Sequence, residues 1–262
     1  MTSYMTYNNF KSAIHRLHPL TKLIFLIFYC VLVLVLSNPW FSLFLLFVIF
    51  MLIKLAKISI QFFLRKAKFI LLFCLVLFVV QVLFTQEGKT LFSLIPSSMP
   101  VIGGALPITT VGIENGVVMA TRFLSIIASS FLFISTTHPN TFAYALMQLG
   151  LPYRYGFTLI TTLRFLPLFG SEFGVVRRAQ AARGMKTSVH PKKIMRIIRL
   201  TFLPLLVSGL AKVDALSVSM EGRGFGAYKH RTFLRKIEFT KKDVVLCILI
   251  PVLTVVIIIL AL

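Results

Sequence analysis

Two arginines carry the most specific chemistry in this chain. Arg183 lies in Ala182-Arg183-Gly184, and forty positions on Arg223 lies in Gly222-Arg223-Gly224; each follows a helix-forming run and is followed at once by glycine. A guanidinium presents five donors in a rigid planar fork that matches a carboxylate. Arginine near a helix end also has an ordinary role, because a cation suits the negative end of the helix dipole and glycine readily takes the left-handed conformation that stops a helix. One such ending is a cap. Two similar endings on neighbouring helices project two forks, and a soluble partner with carboxylates or helix C-termini in a groove would accept both. The pattern points to gripping a partner rather than to bond-making.

The elements that must hold these tips are membrane-grade. Of 262 residues, 58% are apolar, against roughly 45–50% in soluble domains. Residues 23–36, 41–53, 69–84 and 244–262 are almost free of charge, and residues 112–136 carry only Glu114 and Arg122. With their flanks these runs approach the roughly 20 residues of a spanning helix, which gives about five spans. The first has a basic approach (Lys11, Arg16, Lys22) but no Ala-x-Ala-like site behind it, so it is expected to be retained.

The net charge of +21 is unevenly placed: of 28 Lys and Arg, 18 fall between Arg154 and Lys242 and 5 between Lys54 and Lys68, whereas the connections at 37–39 and 85–111 hold only Lys89. This alternation follows the positive-inside rule. It places the N-terminus, the Lys54–Lys68 segment and the Arg154–Lys242 segment in the cytoplasm and the C-terminus outside. Base-stacking aromatics interleaved with polar readers are absent from the basic stretch, which argues against nucleic acid as partner. Cys30, Cys74 and Cys247 sit singly in apolar runs as packing thiols. The five histidines lack metal-ligand spacing, the seven acidic residues pair in no membrane site, and no G-x-x-x-x-G-K-[ST] phosphate loop occurs.

Along the chain, Asn38-Pro39 predicts a tight turn, and the Lys54–Lys68 segment an interfacial elbow with buried lysine stems. Residues 85–111, rich in Gly and Pro, predict a loop on the outer surface, either a packed cover or a contact for another membrane subunit. Arg122 within a span must face the bundle interior, find a partner or snorkel. Pro167 predicts a kink or a helix's first turn. His190-Pro191 starts a new helix in which Lys192, Arg196 and Arg199 oppose Ile194, Ile197 and Ile198, the spacing of an amphipathic surface helix, with an interruption near Pro204. Residues 151–169 are left crossing, dipping into or lying on the membrane.

The run from Arg178 to Gly184, with Met220-Glu221-Gly222-Arg223-Gly224-Phe225 downstream, resembles the paired Ala-Arg-Gly motifs of energy-coupling factor (ECF) transporter transmembrane T components. The similarity extends to His18-Pro19-Leu20-Thr21-Lys22-Leu23, Asn38-Pro39, Leu83-Phe84-Thr85, Leu163-Arg164-Phe165-Leu166-Pro167 and Pro204-Leu205-Leu206-Val207. It covers nearly the whole chain in the right order. The resemblance implies an all-α polytopic membrane helix bundle with long amphipathic cytoplasmic coupling helices. Residues 1–150 would form an N-terminal membrane domain, 151–240 a coupling region and 241–262 a last span.

It further implies a multi-pass bacterial plasma-membrane protein that is not itself an enzyme and binds no cofactor, with ATP and Mg used by two partner ABC-type ATPases. Ala182, Arg183, Gly184, Gly222, Arg223 and Gly224 would dock those ATPases, one motif to each, supported by Arg164, Pro167, Arg178 and Glu221. Residues 192–220 would pass the motion to a separate substrate-binding membrane subunit that takes up a vitamin or metal ion. Gly222 departs from the family's usual alanine, which loosens the second tip, since glycine costs a helix roughly 1 kcal/mol relative to alanine. The rival classes are a self-sufficient secondary transporter or channel, for which Arg122 alone is thin support, and an intramembrane enzyme, for which no catalytic cluster is visible.

Overall fold

Small polar residues and prolines set where the helices begin. The computed structural model describes residues 12–58, 60–85, 87–93, 107–184, 191–228 and 237–261. After a single turn, α1 (Ala13–Arg16), His18 caps α2 (Pro19–Val35) by accepting the Leu20 N–H at 3.3 Å. Asn38 repeats the device for α3 (Pro39–Leu55), accepting the Trp40 N–H at 3.1 Å. In both, proline fills the first helical position, where its missing N–H leaves nothing unpaired. α3 ends in a turn with Lys57 at φ 57°, closed by Ile58 N–H to the Ile53 carbonyl and Lys57 N–H to the Lys54 carbonyl. α4 (Ile60–Phe84) begins directly after. The expected basic elbow is therefore shorter than its charges suggested: arginine and lysine are good helix formers, and the helix runs through Arg65, Lys66 and Lys68.

The expected irregular connection contains an antiparallel pair, β1 (Thr90–Ser93) and β2 (Pro107–Thr109), with Thr90 opposite Thr109 and Phe92 opposite Ile108. The choice between a cover and a contact loop falls on residues 94–106, outside the described residues. Thr109 caps α5 (Thr110–Thr136) through the Gly112 N–H at 3.0 Å. α5 packs on α2, α3 and α4 with a face of small residues: Gly112, Gly116, Ser125, Ala128 and Ser129 are buried. A Cβ on Gly116 would stand 3.0 Å from the Phe78 ring and 3.1 Å from Val82. Small residues four apart let membrane helices approach closely. The core beside it joins Leu32 and Val33 of α2, Ile49 and Ile53 of α3, and Ala128 and Leu132 of α5. Buried polar contacts cross it: Thr121 Oγ1 donates to Ser42 Oγ at 2.9 Å, and the Tyr29 hydroxyl to the Leu45 carbonyl at 2.9 Å.

α2 and α5 run antiparallel, and each ends on a cation supplied by the other. Arg122 of α5 donates from Nε to the Val33 carbonyl at 3.2 Å and from Nη2 to the Leu36 carbonyl at 3.4 Å, at the end of α2. Lys22 of α2 donates to the Thr136 carbonyl at 2.8 Å, at the end of α5, and to the His15 carbonyl at 3.3 Å. Helix ends leave carbonyls without intrahelical partners, and apolar surroundings offer them no water. Arg122 thus faces inward and caps a neighbouring helix.

The chain then forms α6 (Pro139–Gln148), α7 (Tyr153–Ala182), α8 (Pro191–Gly222) and α9 (Lys241–Ala261). α9 returns to α2. Asp243, 2% exposed, accepts the Thr240 N–H at 3.1 Å on one carboxylate oxygen and the His18 N–H at 2.9 Å on the other. It anchors the starts of α9 and α2 to each other across 225 positions.

Two compact units result, Met1–Ala145 with Ile237–Leu262, and Leu146–Lys236. Pro167 and Pro204 lie inside α7 and α8, which continue through them; the expected interruption at Pro204 does not occur. Among the described residues four helices are, by length and composition, long and apolar enough to cross a membrane: α5, α7, residues 199–222 of α8, and α9. The five apolar runs marked in the sequence are all helical: α5 and α9 belong to this set, and α2, α3 and residues 68–84 of α4 are shorter apolar helices, at the lower end of the length that spans a bilayer. α2 and α3 are 17 residues each, about 25 Å at 1.5 Å per residue, whereas α7 and α8 dilute their charges over 30 and 32 residues. The architecture is an all-α membrane helix bundle with one short hairpin among the described residues.

Arg122→Met and Lys22→Met each leave capped carbonyls open and should lower stability by about 1–2 kcal/mol. The caps sit at opposite ends of the α2–α5 pair, so the double variant should show the sum. Thermal melts of the detergent-solubilised protein measure both; a markedly sub-additive double variant would contradict two separate caps.

Candidate functional site

α7 and α8 pair antiparallel, and the register is fixed by side chains spread along their length. Gln180 Nε2 near the end of α7 donates to the Leu200 carbonyl at 3.2 Å. Further along, Lys212 Nζ meets Glu172 Oε1 at 2.9 Å while Ser208 Oγ donates to Glu172 Oε2 at 3.1 Å. Between them Gly209 lies against Phe169, whose ring would stand 3.0 Å from an added Cβ. At the far end the Phe225 ring packs at a tilt against Phe157 and Tyr153, with centroids 4.5 and 5.5 Å away.

This register places the two arginines at opposite ends of the pair. Each lies eleven positions beyond the Glu172–Lys212 ion pair, in opposite directions, about 30 Å apart along the helices at 1.5 Å per residue. The two arginines therefore stand at the two ends of the pair rather than side by side.

Each arginine closes its helix as a C-cap. Arg183 N–H reaches the Ala179 carbonyl at 3.2 Å and Gly184 N–H the Ala181 carbonyl at 3.0 Å, with Gly184 at φ 83°. At the second tip Phe225 N–H bonds the Met220 carbonyl at 3.0 Å and Gly224 N–H the Glu221 carbonyl at 2.9 Å, with Gly224 at φ 66°. These are the two bonds of a Schellman ending, in which the residue after the left-handed glycine often makes an apolar contact; Phe225 makes it on α7. Ala182, Arg183, Gly184, Gly222, Arg223 and Gly224 are all exposed. The bonds that close the two caps join backbone groups, and both arginines are exposed.

The supporting residues divide. Arg164 shares with Arg223 and Lys212 a groove of about 760 Å³ whose aromatic wall is Tyr153, Phe157, Phe165 and Phe225. Pro167 lies exposed within α7, Arg178 exposed five positions before Arg183, and Glu221 contributes its carbonyl to the second cap. Arg164 thus meets the second tip rather than the first. The side chains of Lys192 and Arg196 lie outside the described set.

Sequence reasoning did not find Glu172, Gln180 or Lys212, which hold the pair in register, because forty positions separate the ionic partners and no local pattern marks them. Phe225 carried a readable signal, an aromatic directly after a helix-stopping glycine. Among the described residues no group of His, Cys, Asp and Glu is arranged to hold a metal ion.

Residues 10–234 match the family model CbiQ, described as cobalt transport protein. The chain is similar to proteins named energy-coupling factor transporter transmembrane protein EcfT. That of Exiguobacterium sibiricum is 29% identical over 92% of this chain and 92% of its own length. The protein of Streptococcus equi is 31% identical over 92% and 90%, and that of Lactococcus lactis 31% over 94% and 93%.

The glycines separate space from backbone conformation. An added Cβ meets nothing within 4 Å at Gly184, Gly222 or Gly224, but Gly184 and Gly224 have positive φ and Gly222 does not. Gly222→Ala should therefore stabilise α8, by up to about 1 kcal/mol, whereas Gly184→Ala and Gly224→Ala should each cost about 1–2 kcal/mol. Thermal melts of the three variants measure the contrast, and equal effects at all three positions would contradict it.

Proposed function

Because the chain belongs to the CbiQ family of transport proteins and its relatives are transmembrane components of energy-coupling factor transporters, we propose that it is the coupling scaffold of an ATP-driven importer. Arg183 and Arg223 each dock one of two ABC-type ATPase subunits, which bind and hydrolyse ATP with Mg. Movement of those subunits is carried by α7 and α8 to a separate substrate-binding membrane subunit, which reorients to deliver a vitamin or metal ion.

The observation that carries this reading is the pair of exposed arginines on glycine-stopped helix ends, held at opposite ends of one ion-paired helix hairpin. Two contact points about 30 Å apart suit two subunits better than one. Charge placement supports an orientation in which α7 and α8 lie along the cytoplasmic side rather than cross the bilayer, so that both tips and the N-terminus face the cytoplasm and the C-terminus faces outside. The chain carries no phosphate loop of its own, so hydrolysis belongs to the partners.

Exposed apolar residues along the pair, among them Leu166, Phe173, Phe202, Leu203, Val207 and Val218, supply a surface for the bilayer and for the substrate-binding subunit. Arg164, beside Arg223 in the aromatic groove, adds a second cation to that tip.

Co-expression with candidate ATPases and a substrate-binding subunit from the same genome, followed by purification on a tag carried by this chain, tests the proposal. Wild type should retain an active ATPase pair. Arg183→Ala should weaken association about 30-fold or more, the loss expected when one partner of a desolvated charge pair is removed. Arg183→Glu with Arg223→Glu should abolish ATPase retention and uptake while the protein remains inserted. Normal uptake by that double variant would sink the docking role of the arginines.

A further inference from the structure

Two cavities meet inside the first unit, at the end of the bundle where α2 and α9 begin and α5 ends. The inner one, about 260 Å³, is walled by apolar side chains including Phe25, Leu26, Leu132, Leu246 and Ile250. Leu246 and Ile250 are half-buried, and beside them Val245 and Leu249 are exposed on the helix surface, so this cavity lies at the lipid-facing side of α9. The outer one, about 210 Å³, is lined by Arg16, Thr137 and Glu238 among others. Leu17, Lys22 and Thr136 line both, which makes the two spaces adjoining.

We propose that the paired cavities bind one aminophospholipid, an acyl chain filling the inner cavity and the phosphodiester and ammonium groups seated in the outer one. The shape of the chemistry carries the assignment. An occupant must be apolar at one end and bear both charge signs at the other. Arg16 is exposed at the rim and offers a fork for phosphate oxygens. Lys22, 8% exposed at the junction, spends two ammonium hydrogens on the His15 and Thr136 carbonyls, and an ammonium has three. Glu238, on the same pocket, matches a headgroup amine.

Thr137 supplies an independent sign. Its residue is 6% exposed, and its buried hydroxyl has no hydrogen-bond partner among the described residues although it lines the outer pocket. Buried hydroxyl groups are seldom left so, and a phosphate oxygen would satisfy it. A soluble metabolite would leave the apolar cavity wet, and a free fatty acid would set its carboxylate against Glu238 with no amine to match.

Native mass spectrometry of the full chain, delipidated in mild detergent and titrated with dioleoyl phosphatidylethanolamine, dioleoyl phosphatidylglycerol or dioleoylglycerol, tests this. One phosphatidylethanolamine should bind per chain, several-fold tighter than phosphatidylglycerol, with dioleoylglycerol not retained. Arg16→Glu, on an exposed position outside the core, should weaken binding about tenfold or more through loss of a charge-assisted bond. Leu246→Trp, which plugs the inner cavity from α9, should reduce it comparably, and Glu238→Gln should erase the preference over phosphatidylglycerol. Melting temperatures report folding for each variant, and the Arg16 result stands even where the cavity variant unfolds. Equal retention of dioleoylglycerol, or binding unchanged in Arg16→Glu with an unaltered melt, would overturn the proposal.

Discussion

The membrane domain depends on one exchange of charge between two helices. In apolar surroundings the last carbonyls of a helix have no solvent to turn to. Here α2 and α5 lie antiparallel, and each supplies the cation that closes the other: Lys22 on Thr136, Arg122 on Val33 and Leu36. The exchange fixes direction as well as stability, because a parallel pairing would bring each cation to the positive end of its neighbour's dipole. It also pairs one buried charge, Lys22, and one half-buried charge, Arg122, which would otherwise be costly within a membrane bundle. Asp243 extends the same logic to α9 by accepting N–H groups at the starts of two helices, where negative charge is favoured.

The second unit is built on the opposite balance. Its two long helices bury little and expose many large apolar side chains, and specific polar contacts rather than a deep core keep them in register. Glu172 is satisfied on both oxygens by Ser208 and Lys212, Gln180 reaches across to a backbone carbonyl, and one close approach at Gly209 is made possible by the missing side chain. Such a pair can change what it leans on without losing its own alignment.

Legibility in the sequence followed the range of the interaction. Helix stops at Arg183-Gly184 and Arg223-Gly224, and the start at Pro191, were readable because capping involves residues within a few positions of one another. Asn38-Pro39 was readable as a turn but not as the cap of α3. Apolar runs marked helices α2 to α5 and α9 for the same reason. Arg122 was legible as a residue that had to face inward, but its partners, on a helix nearly ninety positions earlier, were not. The hairpin β1–β2 escaped because its strands are four and three residues long, too short for a period-2 pattern. The continuity of α7 and α8 through Pro167 and Pro204 ran against local propensity, and only their pairing, invisible to a linear reading, makes the unbroken helices intelligible.

The position of the Glu172–Lys212 ion pair has a mechanical corollary. It stands eleven positions from Arg183 and eleven from Arg223, so the hairpin has two arms of equal length about a central pin. Pro167 and Pro204 both fall outside these arms, which leaves residues 172–183 and 212–223 free of the helix's commonest kinking residue. Tilting the hairpin about the pin displaces its two ends in opposite senses by equal amounts, like a balance beam with unit mechanical advantage. A push at one end is returned undiminished at the other.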